Sequence, residues 1–163
     1  MRIAVYPGSF DPITYGHLDV LRDGAGMFDK VIIAVSNNAG KDPLLTVDER
    51  KELISMSIKD ILNAEVDSFN GLTVDYAKKR GASILLRGLR AVSDFEYEMQ
   101  LSQTNRALSE GIKTVFLITR PEYNFISSSV VKEILYNGGD ISEFVPDIVA
   151  DYLQRARKAP RML

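Results

Sequence analysis

A doubly wound α/β fold is what this sequence predicts: one domain over residues 1–163, a five-stranded parallel sheet in the order 3-2-1-4-5, and helices on both faces. Two observations carry that prediction. Five short, apolar, mostly β-branched runs lack the strict in–out alternation of a sheet with one wet face, as expected for strands covered on both sides. Helix-like segments separate them, and strand–helix alternation builds parallel sheets through right-handed crossovers. A chain of 163 residues is long enough to bury a core of this kind.

The strands read as Arg2–Tyr6, Lys30–Val35, Glu65–Phe69, Ser83–Arg87 and Thr114–Ile118. A helix-like pattern begins near His17. Thr46-Val-Asp-Glu49 is a capping box opening a helix to about Lys59. A shorter helix, Thr73 to Arg80, stops at Gly81, and Lys78-Lys-Arg80 neutralises its C-terminus. Ser93-Asp-Phe-Glu96 reads as a second capping box, opening the longest helix to about Ser109. Phe95, Tyr97 and Met99 on it, with Tyr76, read as core or interface residues. Ser127–Asn137 is helical up to Gly138-Gly139. The last helix takes Pro146 at its first position and runs to about Lys158, and residues 159–163 fray.

Composition excludes several classes of function. A net charge of −2 gives no global field for nucleic acid, so any anion site is local. With no cysteine there is no disulfide, zinc-thiolate site or thiol nucleophile. The N-terminus lacks the features of a signal peptide, and no apolar run is long enough to span a bilayer. A cytoplasmic protein, off the membrane, is the expectation.

In a doubly wound sheet, ligands bind outside the carboxyl ends of the strands, at the point where strand order reverses. In the order 3-2-1-4-5 that point lies between strands one and four. The loop after strand one, within Tyr6-Pro-Gly-Ser-Phe-Asp-Pro-Ile-Thr-Tyr-Gly-His17, holds two prolines, two glycines and the one histidine of the chain. It is neither a dinucleotide fingerprint nor a Walker loop, and no nucleophile elbow occurs. A strand, a Gly-rich turn and a helix N-terminus converge N–H groups on an anion. His17 in Thr14-x-Gly16-His17 can donate to a phosphate oxygen from a neutral imidazole, or it can simply cap the turn.

Three further stretches carry comparable alternatives. Lys41 follows strand two and either reaches bound phosphates or is a solvated lysine. Arg87 and Arg90 flank Gly88-Leu89 after strand four. Their forks match phosphate oxygens, and Gly88 admits close approach of a ligand; the bland alternative pairs the arginines with Asp94, Glu96 or Glu98. Ser127-Ser-Ser129 opens a helix and offers hydroxyl and N–H groups suited to a triphosphate, or is a redundant cap.

Four motifs together resemble one family. They are Tyr6-Pro-Gly-Ser-Phe-Asp-Pro12 with Thr14-x-Gly-His17, Leu86-Arg-Gly-Leu-Arg-Ala91, Asp94-Phe-Glu-Tyr-Glu-Met-Gln100, and Phe125-Ile-Ser-Ser-Ser-x-Val-Lys132. The chain resembles the bacterial phosphopantetheine adenylyltransferases, within the nucleotidyltransferase superfamily and its Rossmann-like fold. The first and last motifs mark the superfamily, and the middle two mark this member.

The resemblance implies transfer of AMP from ATP to 4′-phosphopantetheine, giving dephospho-CoA and pyrophosphate, the penultimate step of coenzyme A synthesis. It implies Mg²⁺ carried mainly by the ATP phosphates, a homohexamer, and dephospho-CoA or CoA as product or feedback ligand. Carried over by position, His17, Lys41 and Arg90 are catalytic. Ser9, Lys41, Thr73 and Arg87 hold phosphopantetheine. Ser9, Phe10, His17, Gly88, Leu89, Arg90, Glu98, Tyr123, Asn124, Phe125, Ile126, Ser127, Ser128 and Ser129 contact ATP.

The sequence departs from the family's usual residues at Ser9 (for Thr), Asp42 (for Lys), Tyr123 (for Trp) and Lys132 (for Arg). None removes a group the reaction needs. Two rivals stand beside this reading: a sister nucleotidyltransferase with another acceptor, and a non-catalytic nucleotide-binding module.

Overall fold

The five strands are β1 Ile3–Gly8, β2 Lys30–Ser36, β3 Ala64–Phe69, β4 Ile84–Leu89 and β5 Lys113–Ile118, all parallel in the order β3-β2-β1-β4-β5. The helices are α1 Tyr15–Met27, α2 Val47–Ser57, α3 Thr73–Lys79, α4 Val92–Leu108, α5 Ser128–Tyr136 and α6 Asp147–Lys158, with a 3₁₀ turn at Pro121–Tyr123. The computed structural model describes residues 1–37 and 43–158. Lys41, Asp42 and the expected frayed tail lie outside the described residues.

Alternate residues of the inner strands feed two cores. Tyr6, Val31, Ile33, Val35 and Leu86 point to the larger one, with Leu18 and Leu21 of α1, Leu53 and Ile54 of α2, Val131 of α5 and Val149 of α6. Val5, Ile32, Ala34 and Leu85 point to the smaller one, with Phe69, Val74 and Ala77. Burial of both faces explains the continuous apolar runs.

One pair of strands behaves differently. β1 and β2 stay in register through Gly8↔Val35, and β4 and β5 through Leu89↔Ile118. β1 and β4 pair only at Ala4↔Ile84 and Val5↔Leu85, and then part. Pro7 has no N–H to give a ladder. Its carbonyl accepts instead from Nη1 of Arg87 at 2.8 Å. The parting opens a wedge at the carboxyl end of the sheet, at the reversal of strand order.

The capping box at Thr46 is present, with the Thr46 hydroxyl accepting from the Glu49 N–H and Glu49 accepting from the Thr46 N–H. The one expected at Ser93 does not open α4. That helix begins at Val92 with Ala91 at its cap and no side-chain cap hydrogen bond. The carboxylate of Asp94 reaches back instead, accepting the Arg90 N–H at 3.1 Å. Pro146 sits one position earlier than expected, its carbonyl accepting the Ala150 N–H at 3.0 Å ahead of the first residue of α6.

Arg80 does more than meet a helix terminus. Its guanidinium pairs with Glu65 and Asp67 of the edge strand β3, and Asp67 also accepts from the Tyr76 hydroxyl at 2.7 Å. Charge on an edge strand discourages pairing with another chain. Tyr76 is buried, but Phe95, Tyr97 and Met99 stand out from α4 at 45%, 64% and 39% exposure, so they are surface residues of this chain.

Candidate active site

Two cavities share the wedge between β1 and β4. The first, about 430 Å³, is lined by Ser9, Phe10, Thr14, His17, Arg87, Gly88, Arg90, Glu98, Ile126 and Ser127–Ser129, among others. The second, about 320 Å³, is lined by Ser9, Ser36, Thr73, Arg87, Glu98, Ser102 and Asn105, among others. Pro7, Gly8, Ser9, Arg87, Tyr97 and Glu98 line both and form the seam.

His17 occupies the third position of α1 and completes a capping box with Thr14. The Thr14 N–H donates to His17 Nδ1 at 3.0 Å, and the Thr14 hydroxyl lies 3.1 Å from the same nitrogen. Nδ1 is therefore an acceptor, which leaves the proton of a neutral ring on Nε2. Burial, and then the positive charges of Arg90 and Arg87, push the His17 pKa down to about 4. At neutral pH the ring is an uncharged donor. The turn cap is realised at Nδ1, and Nε2 keeps the proton that a donor to an anion requires.

Phe10 braces the imidazole. Its ring is 2% exposed and packs edge-on against His17 at 5.0 Å and against Tyr6 at 5.2 Å. Phe10 is also the one non-glycine residue with positive φ, at 47°, among the described residues. Its side chain is committed to the larger core.

Both arginines are paired. Arg90 donates through Nε to Asp94 at 3.1 Å and through Nη1 to the Ile126 carbonyl at 3.1 Å. This ties the loop after β4 to the start of α5. Arg87 donates through Nε to Glu98 at 2.8 Å, and Nη2 pairs with the other carboxylate oxygen. Although burial opposes its charge, Glu98 holds the Arg87 pKa above the ordinary arginine value. Each guanidinium keeps donors in reserve, since five N–H groups exceed these bonds.

Gly88 lines the first cavity and also has a packing reason to be glycine. A Cβ there would lie 2.7 Å from Cγ2 of Val20, so α1 lies directly against β4. At the opening of α5, the Ser127 hydroxyl accepts the Val130 N–H at 3.1 Å, and the Ser128 hydroxyl donates to the Pro12 carbonyl at 2.8 Å. The N–H groups of Ser128 and Ser129 have no hydrogen-bond partner among the described residues. They provide the anion-binding end of a helix.

Leu89, Tyr123, Asn124 and Phe125 line neither cavity. The Tyr123 ring lies 6.2 Å from that of Tyr15, and Phe125, 61% exposed, lies edge-on to Phe144. Lys132 forms an ion pair with buried Asp11 at 3.4 Å, and Asp11 accepts the N–H groups of Leu44 and Leu45, each at 2.9 Å. The pairing of the arginines with acidic neighbours, one of the two alternatives read from the sequence, is present: Arg90 meets Asp94, one helical turn away, and Arg87 meets Glu98, while Glu96 pairs with neither. Sequence reasoning missed Tyr97, which faces both cavities.

Such a wedge, with converging N–H groups, two arginines and a neutral imidazole donor, suits a protein that binds and rearranges phosphates. The chain belongs to the cytidylyltransferase-like family, which matches residues 5–134, and within it to the phosphopantetheine adenylyltransferases. It is 55% identical over 158 residues to the phosphopantetheine adenylyltransferase of Caldanaerobacter subterraneus, covering 97% of this chain and 99% of the relative. It is 56% identical over 149 residues to that of Lachnoclostridium phytofermentans, covering 91% of each. Among solved structures, Plasmodium falciparum nicotinic acid mononucleotide adenylyltransferase in complex with NaAD shares the fold, with a TM-score of 0.74 at 18% identity, covering 96% of each chain.

Proposed function

We propose that this chain transfers the adenylyl group of ATP to 4′-phosphopantetheine, releasing pyrophosphate and forming dephospho-CoA. The observation that carries this reading is the pair of cavities meeting at Ser9 and Arg87. One is walled by an imidazole donor and a helix N-terminus, and the other runs past Thr73. A nucleotide in the first and a phosphorylated acceptor in the second bring two phosphates together at the seam. Relatives at 55% and 56% identity carry the name of this activity.

The acceptor phosphate is already a nucleophile, so no residue has to generate one. It attacks the α-phosphorus in line, forming a new P–O bond as the bond to pyrophosphate breaks. Positioning and charge stabilisation then make up the catalysis. His17 donates from Nε2 to a phosphate oxygen, and Arg90 balances the growing charge. Lys41 takes part by family resemblance. Arg87, Ser9 and Thr73 hold the acceptor, and the free N–H groups of Ser128 and Ser129 receive phosphate oxygens of ATP.

The resemblance implies a divalent cation carried by the nucleotide. The carboxylates of Asp94 and Glu98 on the cavity wall are engaged by Arg90 and Arg87. When present with the nucleotide, Mg²⁺ would supply charge neutralisation for the phosphates.

No helix among the described residues is long and apolar enough to cross a membrane; the cytoplasmic location rests on the resemblance. The exposed apolar side chains of α4 supply surface for the homohexamer that the resemblance implies. The resemblance implies CoA, which shares the adenylyl and pantetheine parts of the product, as a feedback ligand for the same two cavities.

The test is pyrophosphate release from magnesium-ATP with a panel of acceptors that includes phosphopantetheine, pantetheine and nicotinate mononucleotide. Release with phosphopantetheine alone is expected. Release with nicotinate mononucleotide alone assigns the chain to a sister activity, and release with none leaves a binding module.

A further inference from the structure

Arg50 has none of the roles given above. It lies in α2 and is 4% exposed. Its Nη1 donates to the Ser9 carbonyl at 2.8 Å and to the Ser36 carbonyl at 3.3 Å, and its Nε donates to the Thr46 carbonyl at 3.3 Å. Burying a guanidinium is costly, and these three carbonyls offset part of that cost. Two of them, Ser9 and Ser36, belong to residues that line the second cavity.

The bond to Ser9 fixes a peptide plane. In a trans peptide the C=O and the following N–H point in opposite directions. With the Ser9 carbonyl drawn inward to Arg50, the Phe10 N–H is aimed the other way. That N–H has no hydrogen-bond partner among the described residues, and Ser9 and Phe10 both line the first cavity. The positive φ of Phe10, 47°, is the second sign of constraint. A bulky residue held there is strained and persists only where its surroundings over-determine it. Arg50 fixes one side of Phe10, and the contacts of its ring with Tyr6 and His17 fix the other.

We propose that Arg50 is a positioning residue for adenylyl transfer: it holds the Ser9–Phe10 peptide so that the Phe10 N–H faces the cavity as an oxyanion donor and the Phe10 ring seats His17. The inference rests on reading the first cavity as the ATP site. Arg50 touches no substrate. Its effect passes through the turn.

The experiment compares wild type, Arg50→Met and Arg50→Lys by pyrophosphate release and by the C–H resonances of the imidazole. The chain has one histidine, so those resonances need no further assignment. The Phe10 ring beside His17 makes them sensitive to its placement. Arg50→Met is expected to lower kcat by about 10²-fold, the scale of one oxyanion donor, with a much smaller change in either KM, and to move the resonances.

Arg50→Lys keeps the charge without the fork and is expected to recover part of kcat and part of the shift. A folded Arg50→Met with kcat within about twofold of wild type, or with unmoved resonances, overturns the proposal. If Arg50→Met does not fold, Arg50→Lys decides on the same two readouts. A wild type that releases no pyrophosphate defeats the functional reading, and the resonances alone then decide the role of Arg50 in seating His17.

Discussion

The Thr14 N–H donates to Nδ1 of His17 at 3.0 Å, across one turn of a helix that these two residues begin. The bond fixes a tautomer. A ring whose Nδ1 accepts carries its proton on Nε2, so the helix cap that orients His17 also makes it a donor. His17→Ala should lower kcat by about 10²–10³-fold with little change in KM for ATP. His17→Gln, which retains an N–H, should lose less. Steady-state kinetics on the two variants checks both, and a turnover near normal in His17→Ala removes the residue from the mechanism.

The pKa of His17, held near 4 by burial and by Arg90 and Arg87, has a stated sign in stability. The unfolded chain takes up a proton near pH 6.5 that the folded chain refuses until about pH 4. Above 6.5 the two states agree, and between those values the folded state loses stability as pH falls. The slope from this group approaches about 1.4 kcal/mol per pH unit at its steepest. Imidazole resonances should not titrate between pH 8 and pH 6, and denaturant melts of wild type and His17→Gln should diverge only on the acid side. An imidazole midpoint near the ordinary histidine value contradicts the buried, neutral ring.

Arg87 carries a different expectation. Charge-assisted hydrogen bonds are worth about 1.5–3 kcal/mol, so Arg87→Ala should raise KM for phosphopantetheine about 10–100-fold. It also strands the carboxylate of Glu98, which is 10% exposed. Adding Glu98→Gln to Arg87→Ala should therefore recover melting temperature without recovering acceptor affinity. Unchanged KM in Arg87→Ala sinks the assignment.

Gly88→Ala tests packing. Its Cβ would meet Val20 at 2.7 Å, and overpacking costs about 1–3 kcal/mol. Thermal unfolding should show that loss, and Val20→Ala in the same chain should return most of it. A fully stable single variant places the constraint elsewhere.

The strand order and the six helices were legible because apolar runs, capping residues and glycines act over short distances. Thr46 with Glu49, and Ser127, cap the helices expected of them. Ser93 does not, because Asp94 is drawn back to the N–H and guanidinium of Arg90 and the helix starts earlier. In the site, His17, Arg87 and Arg90 stood out by type and position. Asp94 and Glu98 were among the acidic partners named for the arginines, but not which arginine each meets, and Arg50, forty-one residues from Ser9, did not stand out at all. Such pairings depend on how loops meet above the sheet, which hydrophobic periodicity does not encode. Gly88 shows a similar gap: it lines the first cavity, but the contact with Val20 that excludes a side chain there is not written in the local sequence.

The parting of β1 from β4 beyond Val5 and Leu85 has a consequence for how the protein meets its ligands. Each of the two strands is held along its full length by a neighbour on its other side. Widening or narrowing the gap would shear two ladders and both cores at once. The floor of the cleft is therefore as stiff as the sheet, and it exists before anything binds. Adjustment to a ligand falls to side chains at the rim, such as exposed Tyr97 and the Arg87–Glu98 pair, whose guanidinium keeps N–H groups to spare. Selectivity then rests on what those side chains can reach over an unyielding base.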